Sequence, residues 1–241
     1  MFNRRRRRPD VDALPPPTLE GGTVTEMKSQ VRDPERVSVF IDRKFSFGIS
    51  LEIALSEGVR VGEELDTDRV NALVARDEVG RATGSALNLL ARRPRSSQEV
   101  RSRLKQKGFA EPAVEEALQR LEGWNYVDDA DFARYWVENR EANRPRGRRL
   151  LEQELRHKGV DREVARSAID AAEPDEFADA LELANGKLRS YSGLDPQVAR
   201  RRLAGFLGRR GYGFDVIGPV LQRVFGEAES DEDHEDDVDS G

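Results

Sequence analysis

Eleven lysines and arginines stand in three groups in corresponding places along the chain: Arg101, Arg103, Lys105 and Lys107; Arg148, Arg149, Arg156 and Lys158; and Arg200, Arg201 and Arg202. Guanidinium and ammonium groups make charge-assisted hydrogen bonds to phosphates and carboxylates. Such groups therefore suit a polyanion or an acidic protein groove. Around the first, Val79 to Ala110 carries eight basic residues against the single acid Glu99, whereas Glu111 to Glu141 reverses to nine acids against three arginines. A stretch of one sign is ordinarily a solvated helix face. Its recurrence at the same place in three successive segments favours a stripe shared between segments.

Other chemistry finds few residues to work with. The 241 residues include no cysteine and only two histidines, His157 and His234, which leaves no thiolate site and no histidine cluster for a metal. Asp128 and Asp129 are paired acids at a helix start, where carboxylates cap and favour the dipole; no other polar group joins them to make a catalytic set. His157, between Arg156 and Lys158, is expected on the surface near the carbonyl end of its helix. Trp124, Tyr126, Phe132, Tyr135 and Trp136 offer base stacking in principle, but Phe132 and Trp136 lie one turn apart on one face, so core packing is expected of the cluster. The glycines at 21–22, 58, 62, 205 and 208 form no phosphate loop. No enzyme, cofactor or metal site is expected.

The elements that must position the basic groups announce themselves by their ends. Leu104 to Gly108-Phe109, Leu155 to Gly159-Val160 and Leu207 to Gly211-Tyr212 share one pattern of leucine, three residues, glycine and an apolar residue, with the glycines 51 and 52 residues apart. A glycine just past a helix closes it in the left-handed conformation, and the next residue folds back onto the leucine. The period makes this a repeat protein. Three helices are expected per repeat: 78–93, 97–107 and 111–122; 129–143, 146–158 and 161–172; 175–190, 195–210 and 214–225. Pro94, Pro145, Pro174 and the glycines stand between them, and Ser96, Asp195 and Thr67 are expected N-caps.

Before the repeats, Val37, Val39, Ile41 and then Phe45, Phe47, Ile49 alternate at period two around the turn signals Asp33-Pro34 and Asp42-Arg43. A small antiparallel hairpin or three-stranded meander is expected there, covered by a short helix over 51–56. The expected fold is mostly α: tandem three-helix repeats stacked into a curved elongated rod, a small N-terminal β-hairpin or meander element, and disordered termini. The boundaries read 1–22 for a basic, proline-rich arm, 23–66 for the β element, 67–124 for a linker helix with repeat one, 125–173 for repeat two, 174–226 for repeat three and 227–241 for an acidic tail.

The formal charge of −6 conceals an asymmetry, since 227–241 holds nine acids and no base while 1–226 sums to +3. No apolar run approaches a membrane span, and Arg4 to Arg8 is followed by Pro9 and Asp10 rather than by the apolar core of an export signal. A soluble, cytoplasmic monomer in a reducing compartment is expected.

The segments RRPRSSQEVRSRLKQKGF from Arg92, NYVDDADFARYWVENR from Asn125 and PRGRRLLEQELRHKGVD from Pro145 resemble the RecX family of bacterial regulators, in the same order, over about residues 23–226. The matching positions are Tyr126, Asp128, Asp129, Phe132, Ala133, Trp136 and Arg140, with Gly147, Leu155, Lys158 and Gly159. The resemblance implies three-helix repeats lying in the groove of the RecA recombinase filament on single-stranded DNA and restraining its growth, ATP hydrolysis and strand exchange. It thus implies a non-enzymatic modulator of recombination and the SOS response. A direct binder of single- or double-stranded DNA, or of RNA, is the competing expectation from the basic groups.

Overall fold

The computed structural model describes residues 18–226; the expectations for the basic arm up to residue 17 and for the acidic tail lie outside them. Strands β1 (Gly22–Gln30), β2 (Asp33–Ile41), β3 (Lys44–Ser50) and β4 (Glu64–Leu65) form one antiparallel sheet in the order β3-β2-β1-β4. The expected meander thus gains a fourth, two-residue strand that pairs with the free edge of β1. Between β2 and β3, Asp42 and Arg43 both take positive φ, 46° and 65°. Two left-handed residues in succession match the right-handed twist of a tight hairpin. Thr18 and Gly21, assigned by composition to the arm, are already engaged: Ser46 Oγ donates to Thr18 O at 2.7 Å and Gly21 N to Thr67 Oγ1 at 3.1 Å.

Helix α1 (Leu51–Ser56) follows β3 with Ser50 as its N-cap, and α2 spans Thr67–Leu90. The expected cap at Thr67 is one residue late: Asp66 Oδ1 accepts from Arg69 N at 2.7 Å, which frees the Thr67 hydroxyl for Gly21. Val24, Val39, Phe47, Ile49, Ala54, Leu65, Val70 and Leu73 form the core between sheet and helices. Arg36 pairs with both oxygens of the buried Asp77 of α2, at 3.1 and 2.8 Å, and also reaches Gly48 O, while Ser50 N donates to Asp77 Oδ1. The Asp77 carboxylate thereby accepts three hydrogen bonds, the kind of added pairing that offsets the desolvation of a buried ion pair.

The remaining described elements are α3 (Ser97–Gln106), α4 (Glu111–Gly123), α5 (Asp129–Asn143), α6 (Arg148–His157), α7 (Arg162–Ala172), α8 (Glu176–Leu188) with a 3-10 turn at Arg189–Tyr191, α9 (Pro196–Arg209) and α10 (Phe214–Phe225). The chain is mostly helical, as expected, with a small N-terminal antiparallel element. The described residues fall into two compact units: one contains those up to Asn88 with Arg103–Leu121, the other Leu89–Ser102 with those from Glu122 to Gly226. In the first, Glu78 of α2 accepts from Ala110 N at 2.8 Å and so satisfies an orphan donor at the start of α4. In the second, α5, α6 and α7 enclose Phe132, Val137, Leu151, Leu155, Val160 and Ile169, and α8, α9 and α10 enclose Ala184, Leu203, Leu207, Tyr212, Ile217 and Val220.

Candidate interaction surface

The middle helix of each three-helix group carries the basic residues, and each ends as its sequence requires. Gly108, Gly159 and Gly211 have φ of 88°, 81° and 94°. The residue after each donates to the carbonyl of Leu104, Leu155 or Leu207, at 3.3, 3.1 and 3.3 Å, and each glycine N–H closes a tighter turn beneath. All three leucines are fully buried, so the cap ties the chain reversal to the core.

Within the second unit the middle helices meet end to end, a feature that spacing alone did not reveal. Ser96, the N-cap of α3, accepts from Glu99 N and donates its hydroxyl to Lys158 O, the last carbonyl of α6, at 2.6 Å. Gly147, the N-cap of α6, donates its backbone N–H to Arg210 O at the end of α9, at 3.0 Å. Equivalent positions are joined twice, and in both the negative end of one helix dipole faces the positive end of the next. The approach is close: a Cβ on Gly159 would lie 2.4 Å from Gln98 Cβ, and one on Gly211 2.4 Å from Leu150 Cβ. The cap at Gly108 has open space around it.

Asp128 caps α5 by accepting from Ala130 N and Asp131 N, as expected, whereas Asp129 turns away to accept from both Ser97 N and Ser97 Oγ at 2.8 Å. Beside this clamp lies a charged network. Glu99 pairs with Arg93 at 3.0 Å and Lys158 at 2.6 Å; Lys158 stands 4.9 Å and Arg140 4.3 Å from the Trp136 ring centre; Glu154 accepts from Trp136 Nε1 and Arg140 Nε. Burial favours a neutral Glu99, but the Arg93 and Lys158 hydrogen bonds and charges outweigh it and hold the carboxyl down at about 2.

The eleven basic residues divide by what already occupies them. Lys105 pairs with Glu111, Lys107 donates to Ser85 Oγ, Arg103 to Gln106 and Arg101 to Gln98. Arg148 pairs with Asp170, and Lys158 is half-buried in the network just described. Arg149, Arg156, Arg201 and Arg202 are exposed and Arg200 half-buried, and none of the five makes a side-chain hydrogen bond or ion pair among the described residues. The structure brings Arg101, the α6 group and the α9 group into the second unit, while Arg103, Lys105 and Lys107 belong to the first.

Of the aromatic cluster expected in the core, Phe132 is buried and Trp136 half-buried, their rings 5.8 Å apart. Trp124 and Tyr126 instead are 54% and 59% exposed. They flank Asn125, at φ 57°, in the turn between α4 and α5, so neither has a helical face to bury. Among the described residues no group of acids and histidines is arranged to hold a metal ion, and no helix is long and apolar enough to cross a membrane.

Comparison with known proteins gives a family to this architecture. The chain matches the regulatory protein RecX N-terminal domain over residues 22–66, and the first, second and third three-helix domains of RecX over 82–121, 128–169 and 174–221. It is 32% identical over 202 residues to the regulatory protein RecX of Bacillus licheniformis, covering 83% of this chain and 77% of the relative, and 29% identical to that of Bacillus subtilis, covering 88% and 80%. A crystal structure of a regulatory protein RecX superposes with a TM-score of 0.68 at 22% identity, over 82% of this chain and 98% of the other; RecX from Lactobacillus salivarius does so at 0.56, 21%, 62% and 97%. Four domain patterns matched in order, from the sheet to the third helical group, together with a relative of this identity and coverage, show that the chain belongs to the RecX family of regulatory proteins.

Proposed function

We propose that this protein binds the RecA recombinase filament on single-stranded DNA and restrains its growth, ATP hydrolysis and strand exchange. It acts as a non-enzymatic cytoplasmic monomer modulating recombinational repair and the SOS response. Membership of the RecX family motivates the partner, and the observation that carries the contact surface is the set of unpaired arginines on α6 and α9. Among the described residues Arg149, Arg156, Arg200, Arg201 and Arg202 make no ion pair, so an acidic groove gains their charge without breaking the helical scaffold. Of the eleven positions, Arg148 and Lys158 are occupied by Asp170 and Glu99 and serve the scaffold. Contacts at several places along a filament add through effective concentration, so modest contacts suffice.

Co-sedimentation with recombinase filaments tests this reading. The quadruple variant R149E/R156E/R201E/R202E is expected to lose at least about tenfold in filament affinity and inhibition, with helicity and melting unchanged. Undiminished inhibition removes these arginines from the mechanism. The same exposed guanidiniums fit DNA phosphates, the second reading. Direct binding then occurs without recombinase and falls steeply between about 0.05 and 0.2 M salt; titration of single- and double-stranded oligonucleotides separates the two.

A further inference from the structure

The surface of α6 carries a groove that the scaffold neither fills nor neutralises. A cavity of about 470 Å³ lies between α6 and α9, with Arg149 and Gln153 on one wall, Arg209 on the other, and Gly205 and Gly208 at its floor. A Cβ at Gly208 would meet only Ile217 Cδ1, at 4.0 Å, so the helix surface is bare there, whereas at Gly205 the Arg209 guanidinium lies 3.3 Å from that position and folds over the helix. Phe214, 82% exposed, stands at the rim. Past the shared Leu150 and Gln153 the cavity continues into a recess of about 690 Å³ bearing Arg156, His157 and Lys158. Its one acid, Glu154, is already bonded to Trp136 and Arg140. Arg149, Arg156 and Arg209 are exposed and without an ion pair among the described residues.

We infer that this groove is a binding site for an extended acidic peptide, and that its occupant is residues 227–241 of the same chain. Nine acids and no base in fifteen residues complement the unpaired arginines. Reach is sufficient: α10 starts at the rim with Phe214 and its twelve residues rise about 18 Å to Phe225, while fifteen extended residues span up to about 50 Å. Because α10 packs on α8 and α9, the segment leaves from the helical group that forms one wall. The bare helix surface at Gly208 admits a peptide backbone closely, and Arg149 and Arg209 can each take a carboxylate in two-point contact. The inference does not depend on recombinase binding.

The test uses the chain alone. The protein has no cysteine, so Ser240→Cys carries a single nitroxide on an otherwise unaltered chain. Broadening of the amide resonances of Gln153, Gly205 and Gly208 at about 0.01 M salt, reversed at about 1 M where the screening length falls to about 3 Å, is the expected result. In the R149E/R209E variant the same resonances should stay sharp while the rest of the spectrum keeps its positions. Absent broadening, broadening spread evenly over all basic surfaces, or broadening seen only between labelled and isotope-enriched copies in a mixture, which would make a second copy the occupant, each overturns the inference.

Discussion

Glu99 shows how a charge in this protein is committed to structure. Its carboxyl is held at about 2 against burial by Arg93 and Lys158. An unfolded glutamate titrates near 4.3, so the folded state binds fewer protons between the two values. The stabilisation is fully present above about pH 4.3 and is lost as pH falls towards 2. Glu99→Gln keeps the shape but removes the charge from two cations, and should cost about 1–3 kcal/mol at pH 7. The gap between wild type and variant should then close on acidification through that window. Thermal melts at pH 7, 4 and 2.5 measure it; a gap that stays constant with pH would detach the network from stability. In the sequence Glu99 was only the lone acid in a basic stretch, because its partner Lys158 lies 59 residues away and nothing local announces the pair.

The glycine-capped leucines were legible at the scale of the element, since a Schellman turn is written within six residues and its φ follows from local sterics. Asp128, Ser96 and Asp195 were legible as caps for the same reason. The end-to-end joints were not, because they depend on which helix abuts which cap. The three glycines therefore look alike in sequence and should respond differently to substitution. Gly108→Ala meets open space and bears only left-handed strain, about 1–2 kcal/mol. Gly159→Ala and Gly211→Ala add a Cβ 2.4 Å from Gln98 or Leu150, an overpacking cost of a further 1–3 kcal/mol or so. Gly147→Ser should also destabilise: serine is a better N-cap than glycine, but its Cβ would lie 2.4 Å from the Gly211 carbonyl carbon. With about 2–4 °C per kcal/mol expected at this chain length, the melting series should run Gly108→Ala well above Gly159→Ala and Gly211→Ala. Equal losses at all three positions would show that the joints carry no energy. The exposed Trp124 and Tyr126 mark the opposite failure of reading, where composition suggested a core and a turn at Asn125 placed both rings in solvent.

At the scale of the molecule, the sequence charge is the sum of opposed parts, +3 over residues 1–226 and nine uncompensated acids beyond. Removing residues 227–241 should tighten nonspecific binding to duplex DNA, by about tenfold at 0.05 M salt, with the gain shrinking by 0.2 M. Two causes predict that sign and differ in address. If the acids act only through net charge, the gain survives reversal of any two arginines, because the long-range field depends on the sum. If they occupy the groove between α6 and α9, deletion uncovers Arg149 and Arg209, and in R149E/R209E the same deletion should gain little. Titration of the four proteins, intact and deleted in each background, isolates the coupling as the departure from additivity. Additive effects would assign the tail to the global field, whereas a gain confined to the wild-type groove would make the tail a competitor that any acidic or phosphate-bearing partner must displace.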